Sequence, residues 1–408
     1  MKQLFIFSAI LIFNYYLLSQ SGWYQQTTGT NQTLLGVSLA DANTGYVCGV
    51  NGLILKSTNG GANWNVQTSG TIRFLRSIHF VNANTGTTVG ELGLILRTTN
   101  GGTNWVTQSA DVFSTFVHVH FVNENIGTAV GLSGTIASTM NGGLNWASQT
   151  SNVNVELTGV YFINSDNGYI SGFGGMILHT TNGGTNWAQQ QTNVSNELRA
   201  VYFSDLNTGL TVGYSGKILR TTNGGTNWDS ITSPTGNNLF SVFFAGANTV
   251  FAAGTGLILK SIDSGTSWQV QPINVTTDLY SIWFSDANTG NAVGQQGVIL
   301  RTISGGIGIK QISTEVPDKF VLQQNYPNPF NPVTKILFNI RGGTRHGVFV
   351  QIKIYDAGGR EIATLVNGEL KPGVYEIDWD ASNYPSGVYF YSIKTEKYSE
   401  SRKMILAK

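Results

Sequence analysis

Between residues 22 and 308 few side chains could do chemistry: twelve acidic groups, nine basic ones, four histidines and the lone Cys48. His118 and His120 alternate onto one face of a strand-like run, and His79 stands 41 residues before His120, so three imidazoles could approach a metal ion. No cysteine or carboxylate recurs beside them, so packed histidines and no metal are expected. Glycoside hydrolysis needs two carboxylates facing each other across a cleft. Here Asp41, Asp205 and Asp286 share one turn-like position, Asp166 lies in another such turn and Asp263 in a further one, so turn chemistry accounts for them. The stretch Asp41-Ala42-Asn43-Thr44-Gly45 starts like a calcium loop but lacks the later ligands and the bidentate glutamate. Arg97, Arg220 and Arg301 share a repeat position with Lys56 and Lys260, which predicts a circle of cations rather than a convergent carboxylate clamp. Cys48 stands where other units carry Val89, Val130, Val212 and Val293, the place of a small core residue. No catalytic residue, metal or cofactor is therefore expected.

The elements that hold these residues follow from a strict period. Tryptophans at 23, 64, 105, 146, 187, 228 and 268 are spaced by 41 residues five times and by 40 once. The short unit carries Gly254-Thr255-Gly256 where most units carry a four-residue Gly-x-x-Gly turn. In the second unit, Arg76 to Phe80, Thr87 to Val89, Leu94 to Thr98 and Trp105 to Gln108 read as four short strands separated by Asn- and Gly-rich turns. Four strands in about 40 residues is the arithmetic of a β-propeller blade, and seven units predict an all-β, seven-bladed ring over residues 22–308.

The turn before each of the six tryptophans from Trp64 to Trp268 resembles the Asp-box of the bacterial neuraminidase repeat, Ser/Thr-x-Asp/Asn-x-Gly-x-x-Trp. It pairs Asn59 with Trp64, Asn100 with Trp105, Asn141 with Trp146, Asn182 with Trp187, Asn223 with Trp228 and Asp263 with Trp268. Its role is structural: the Asn or Asp accepts turn N–H groups and the indole covers the hairpin. The 41-residue spacing, the Leu75 to Phe80 and Leu198 to Phe203 strands and the Asn-Thr-Gly turns resemble the photosystem II assembly and stability factor-like propellers. That resemblance implies a non-enzymatic binding scaffold; a photosynthetic role is not carried over. Asp-boxes also occur in sialidases, so a carbohydrate-active hydrolase is one alternative, and a structural surface or adhesion component is another.

Composition supports this division. Glycine is abundant, 50 of 408 residues, and charged residues make up only 11%, with a net charge of +1, so neither a charged disordered chain nor a nucleic-acid-binding surface is indicated. Met1 and Lys2, an apolar stretch from Leu4 to Leu18 and the small residues after it read as a signal peptide over residues 1–21. No apolar run is long enough for a transmembrane helix. The last 100 residues hold 23 charges against 21 in the preceding 287, and six of the eight prolines follow residue 316. A linker over 309–318 and a separate immunoglobulin-like β-sandwich over 319–408 are expected. The string Gln324-Asn325-Tyr326-Pro327-Asn328-Pro329-Phe330-Asn331-Pro332, with Gly373-Val374-Tyr375 and Ser386-Gly387-Val388-Tyr389, resembles the type A C-terminal sorting domain of the type IX secretion system. This implies an extracellular or cell-surface protein that engages the secretion machinery through 319–408.

Two expectations concern the ring. A seventh box, starting at Thr302, has no tryptophan, whereas Trp23 begins a fourth strand with no strands before it, so the amino-terminal strand should complete the last blade. The Asp-box face is nearly constant, while the opposite face varies. Arg76, Arg199, Phe240 and Tyr280 start the first strands of their units, and Phe173 and Tyr214 lie in the Gly-x-x-Gly turns. These six are the expected contacts to a protein or glycan partner.

Overall fold

The computed structural model describes residues 22–306, 308–313, 315–342, 347–381 and 384–408. The expected signal peptide lies outside the described residues. Seven antiparallel sheets of four strands occupy residues 22–306. The second blade is representative, with Leu75–Phe80 innermost, then Gly86–Gly90, Ile95–Thr98 and Val106–Gln108. Each innermost strand packs on that of the next blade, and Leu279–Phe284 of the seventh returns to Leu34–Leu39 of the first, which closes the ring.

Apolar alternation explains the inner strands. Leu75, Ile78 and Phe80 are buried, and the Phe80 ring lies where a side chain on Gly86 would have to go, 2.5 Å from a Cβ placed there. The second glycine of each Gly-x-x-Gly turn is required for another reason. Gly93 has φ +71°, and a Cβ on it would sit 1.7 Å from the Val112 carbonyl of the adjoining loop.

The seventh blade is built from both ends of the propeller. Its order is Leu279–Phe284, Gly290–Gly294, Ile299–Gly306 and then Gly22–Gln25, with Gly22 opposite Gly306 and Gln25 opposite Leu300. Gly306 N donates to Thr302 Oγ1 at 2.8 Å, so the box turn forms without its own tryptophan. Trp23 supplies the indole, edge-on to Phe284 with ring centres 5.8 Å apart. Equivalent contacts join Trp105 to Phe80 and Trp146 to Phe121 within their own blades.

The carboxyl-terminal part is two four-stranded sheets sharing one core that includes Phe338, Ile352, Trp379, Tyr391 and Met404. Within the proline-rich string, Phe330 is buried against Trp379, and Asn325 donates to Thr334 Oγ1 and to the Pro327 carbonyl. The expected linker differs from the observed chain. Ile309–Ser313 is a strand on the edge of this sandwich, pairing Ile309 with Ile377 and Gln311 with Tyr375. Its own alternation is weak, so the charge and proline shift at residue 316 marks the end of this strand's loop, not the domain boundary. Glu361–Leu370 of the sandwich also packs on Ile299–Gly306 of the seventh blade, where Ile303 is buried beside Gly368.

Candidate functional site

Every innermost strand carries an irregularity at its first turn. The pairing register shifts between Leu34 and Gly36, Leu75 and Ser77, Phe116 and His118, Leu157 and Gly159, Leu198 and Ala200, Leu239 and Ser241, and Leu279 and Ser281. A bulge frees one residue from the ladder and re-aims its side chain. The freed positions include Arg76, Arg199, Phe240 and Tyr280, the variable residues singled out from the sequence. The fold thus presents them together at one mouth of the central axis.

Four of the six expected contacts form one connected cluster. The Arg199 guanidinium lies 5.8 Å from the Tyr214 ring centre and pairs with Glu197 at 2.6 Å and Glu156 at 3.9 Å. Tyr214 meets Phe240 edge-on at 6.1 Å, and Phe240 meets Tyr280 at 5.2 Å. Asp278 Oδ2 accepts from the Tyr280 hydroxyl and, at 2.9 Å, from Gln295 Nε2, which also donates to the Tyr280 oxygen at 2.8 Å. Burial, with repulsion from Glu197, raises the pKa of Glu156 despite the opposing pull of Arg199 and Arg76. Burial likewise raises the Tyr214 and Tyr280 hydroxyls. Arg76 is half-buried, and its Nε is enclosed without a hydrogen-bond partner. Phe173 stays exposed in its turn, and among the described residues no ring contact joins it to the cluster.

Below the mouth, an unbroken belt of six rings encircles the axis: His79, His120, Tyr161, Tyr202, Phe243 and Trp283. Their centres lie 4.2 to 5.2 Å apart, and Trp283 returns to His79 past Ser38 of the first blade. The sequence reading pairs only His79 with His120. The repeat step carries the whole belt, 41 residues each time except the 40 from Phe243 to Trp283, and it is hidden because the ring types change from blade to blade.

The histidines do structural work. His79 Nδ1 accepts from Phe121 N, His118 Nδ1 from Val160 N and His120 Nδ1 from Phe162 N, at 3.3 to 3.4 Å. Ser38, Ser77, Ser241 and Ser281 serve other inner-strand N–H groups in the same way. An innermost strand has a free edge facing the axis, and a side chain from the preceding blade satisfies part of it. Burial lowers the pKa of His79 to about 3 and of His118 to about 4, and holds His120 well below its ordinary value. Among the described residues no trio of His, Cys, Asp or Glu is arranged to hold a metal ion.

On the opposite face the ionisable groups are tied to the backbone. Lys56 donates to the Gly101 carbonyl, Arg97 to Glu124 O, Arg220 to Ser264 O, Lys260 to Gly305 O and Arg301 to Ala42 O, each reaching into the following blade. Asp41, Asp205 and Asp286 each accept two turn N–H groups. In the boxes, Asn59 Oδ1 accepts from Asn63 N at 3.0 Å and Asp263 Oδ1 from Ser267 N at 2.9 Å. Cys48 is fully buried, which pushes its thiol up to about 12.

A latch that the sequence reading misses joins the blades at their rims. Gln108 and Gln149 end their fourth strands and Gln26 and Gln190 directly follow theirs; each accepts from the next box indole, Trp64, Trp146, Trp187 or Trp228, and donates to a carbonyl of that turn. Glutamines at the 41-residue step were its signal. Where Ile231 replaces the glutamine, Trp268 donates to its own Gly265 carbonyl instead.

The family model described as photosynthesis system II assembly factor YCF48 matches residues 16–112, 103–198, 186–269 and 230–303, and the secretion system C-terminal sorting domain matches residues 324–407. No curated protein matches the chain. Among solved structures, one titled YCF48 bound to D1 peptide is 24% identical, covering 70% of this chain and 96% of its own, with a TM-score of 0.61. YCF48 from Cyanidioschyzon merolae is 22% identical, covering 69% and 98%, with a TM-score of 0.59. The WD40 propeller domain of Doa1 shares 11% identity over 69% and 95%, with a TM-score of 0.58. At these identities the structural likeness establishes the propeller fold.

Proposed function

Since the chain belongs to the photosynthesis system II assembly factor YCF48 family and ends in a secretion system sorting domain, we propose that it is a non-enzymatic surface scaffold that grips a protein partner at the bulged mouth of its propeller. The sorting domain directs export through the type IX pathway to the cell surface or extracellular space. The observation that carries the reading is the connected cluster of Arg199, Tyr214, Phe240 and Tyr280, presented by register shifts that recur in every blade. Aromatic and arginine side chains dominate the energetics of protein interfaces. The carboxylates and cations of the other face are spent on turns and on neighbouring blades, which supports binding over hydrolysis. A solved relative is titled as bound to a peptide, which agrees with a protein ligand here.

Affinity capture from envelope extracts tests the reading. The bait is the full chain, because a cut at residue 310 would fall inside the strand Ile309–Ser313. Replacing Arg76, Arg199, Phe240 and Tyr280 together by alanine should abolish capture while leaving the circular dichroism spectrum unchanged. Undiminished capture by a folded quadruple variant would move the site elsewhere.

A further inference from the structure

The mouth has a definite electrostatic sense, and it is not the one its arginines suggest. Arg199 is already committed to Glu197 and Glu156, two carboxylates for one guanidinium. Arg76 also pulls on Glu156 from a longer distance, so by count the two arginines are matched by two glutamates. Asp278 is left over. Among the described residues its carboxylate has no ion-pair partner and accepts only from neutral donors, the Tyr280 hydroxyl and the Gln295 amide. It stands at the end of the aromatic row Tyr214, Phe240 and Tyr280.

A cation is attracted to the face of an aromatic ring, and an adjacent carboxylate adds charge and a hydrogen-bond acceptor. The row already accepts one guanidinium, since Arg199 lies over Tyr214. The neighbouring Phe240 and Tyr280, backed by Asp278, offer the same surroundings, and among the described residues no cation of the chain lies over them. Resting on the reading that this mouth is the partner-binding site, we infer that it recognises a basic side chain, a lysine or arginine in an extended segment of the partner, held over Phe240 and Tyr280 against Asp278. An acidic ligand would have to displace Glu197 or Glu156 from Arg199 and approach Asp278 against its charge.

The experiment uses the full-length protein and four fluorescein-labelled nine-residue Gly/Ser peptides carrying two lysines, two arginines, two glutamates or neither, measured by fluorescence anisotropy at low and physiological salt. The lysine and arginine peptides should bind at least about tenfold more tightly than the other two, and the difference should shrink with salt. Asp278→Asn keeps an oxygen to accept from Tyr280 and Gln295 while removing the charge. It should weaken the basic peptides about tenfold, and Phe240→Ala should weaken them further, with unchanged melting temperature in Asp278→Asn as the control for folding. Equal or tighter binding of the glutamate peptide, equal affinities in Asp278→Asn, or binding of none of the four would overturn the inference. Envelope capture separates it from the wider reading: capture lost in the quadruple variant but intact in Asp278→Asn keeps the mouth as the site and removes the basic side chain.

Discussion

A wholly or half-buried histidine whose Nδ1 already accepts a backbone N–H can gain a second proton only at the cost of its surroundings. His79, His118 and His120 are held neutral, with folded pKa values below the ordinary 6.5. Their contribution to stability is therefore complete above about pH 6.5 and is lost as the pH falls toward 4 and 3, because the unfolded chain takes up the protons first. Each such group costs about 1.4 kcal/mol per pH unit in that window. Serine fills the place of His118 in three other blades, where Ser77, Ser241 and Ser281 accept the same kind of N–H. His118→Ser should accordingly change stability little at pH 7 and flatten the loss between pH 6.5 and 4 in urea titrations; an unaltered slope would mean that this histidine does not carry the linkage. At this scale the sequence reveals repeat positions but not what they touch. That His79 and His120 are equivalent is legible in the sequence. The belt through Tyr161, Tyr202, Phe243 and Trp283 is concealed by the change of residue type, and the hydrogen bonds to the next strand depend on a pairing register that composition does not reveal.

The element that decides whether the ring exists is the four-residue strand Gly22–Gln25. Its role is foreseeable because the seventh box lacks an indole and Trp23 lacks a blade, and both gaps are filled by one pairing. Trp23 is buried against Phe251 and Phe284, so Trp23→Ala should cost about 3–5 kcal/mol, as other large aromatic truncations do. Removing residues before 30 should lower the melting temperature and, by baring the edge of Ile299–Gly306, promote self-association visible in light scattering. An unchanged melting temperature would show that the seam is not holding the ring. The bulges at the head of each inner strand are the counter-example. Their side chains are conspicuous in the sequence by their variability, yet nothing in the run Leu-Arg-Ser-Ile-His-Phe says that the second residue leaves the ladder, because a bulge is a property of two strands together.

For the molecule as a whole, the boundary between propeller and sandwich governs what can be separated. Only residues 307 and 308 lie between the last propeller strand and Ile309–Ser313, which belongs to the sandwich. A chain ending at 306 should keep a folded propeller, yet remain inside the envelope when fractions are probed by immunoblotting. A sandwich beginning at 319 lacks its edge strand, leaves Gly373–Asp380 unpaired on one side, and should be less stable than one beginning at 308; equal melting temperatures would return 309–318 to the status of a linker. The switch in charge and proline content places this border within about ten residues but not on the right side of the strand, since five residues of weak alternation carry little signal of their own. The antiparallel closure has a mechanical consequence. Gly22 lies opposite Gly306, so both ends of the propeller leave it at one corner. Tension between those ends would peel the seam one residue pair at a time, whereas tension applied at the mouth and resisted by the sandwich does not pull on Gly22–Gln25 at all. Held by its carboxyl-terminal side alone, the ring can bear a tugging partner without loading its own clasp; a second attachment at the amino end would turn the same tug into a force that unzips it.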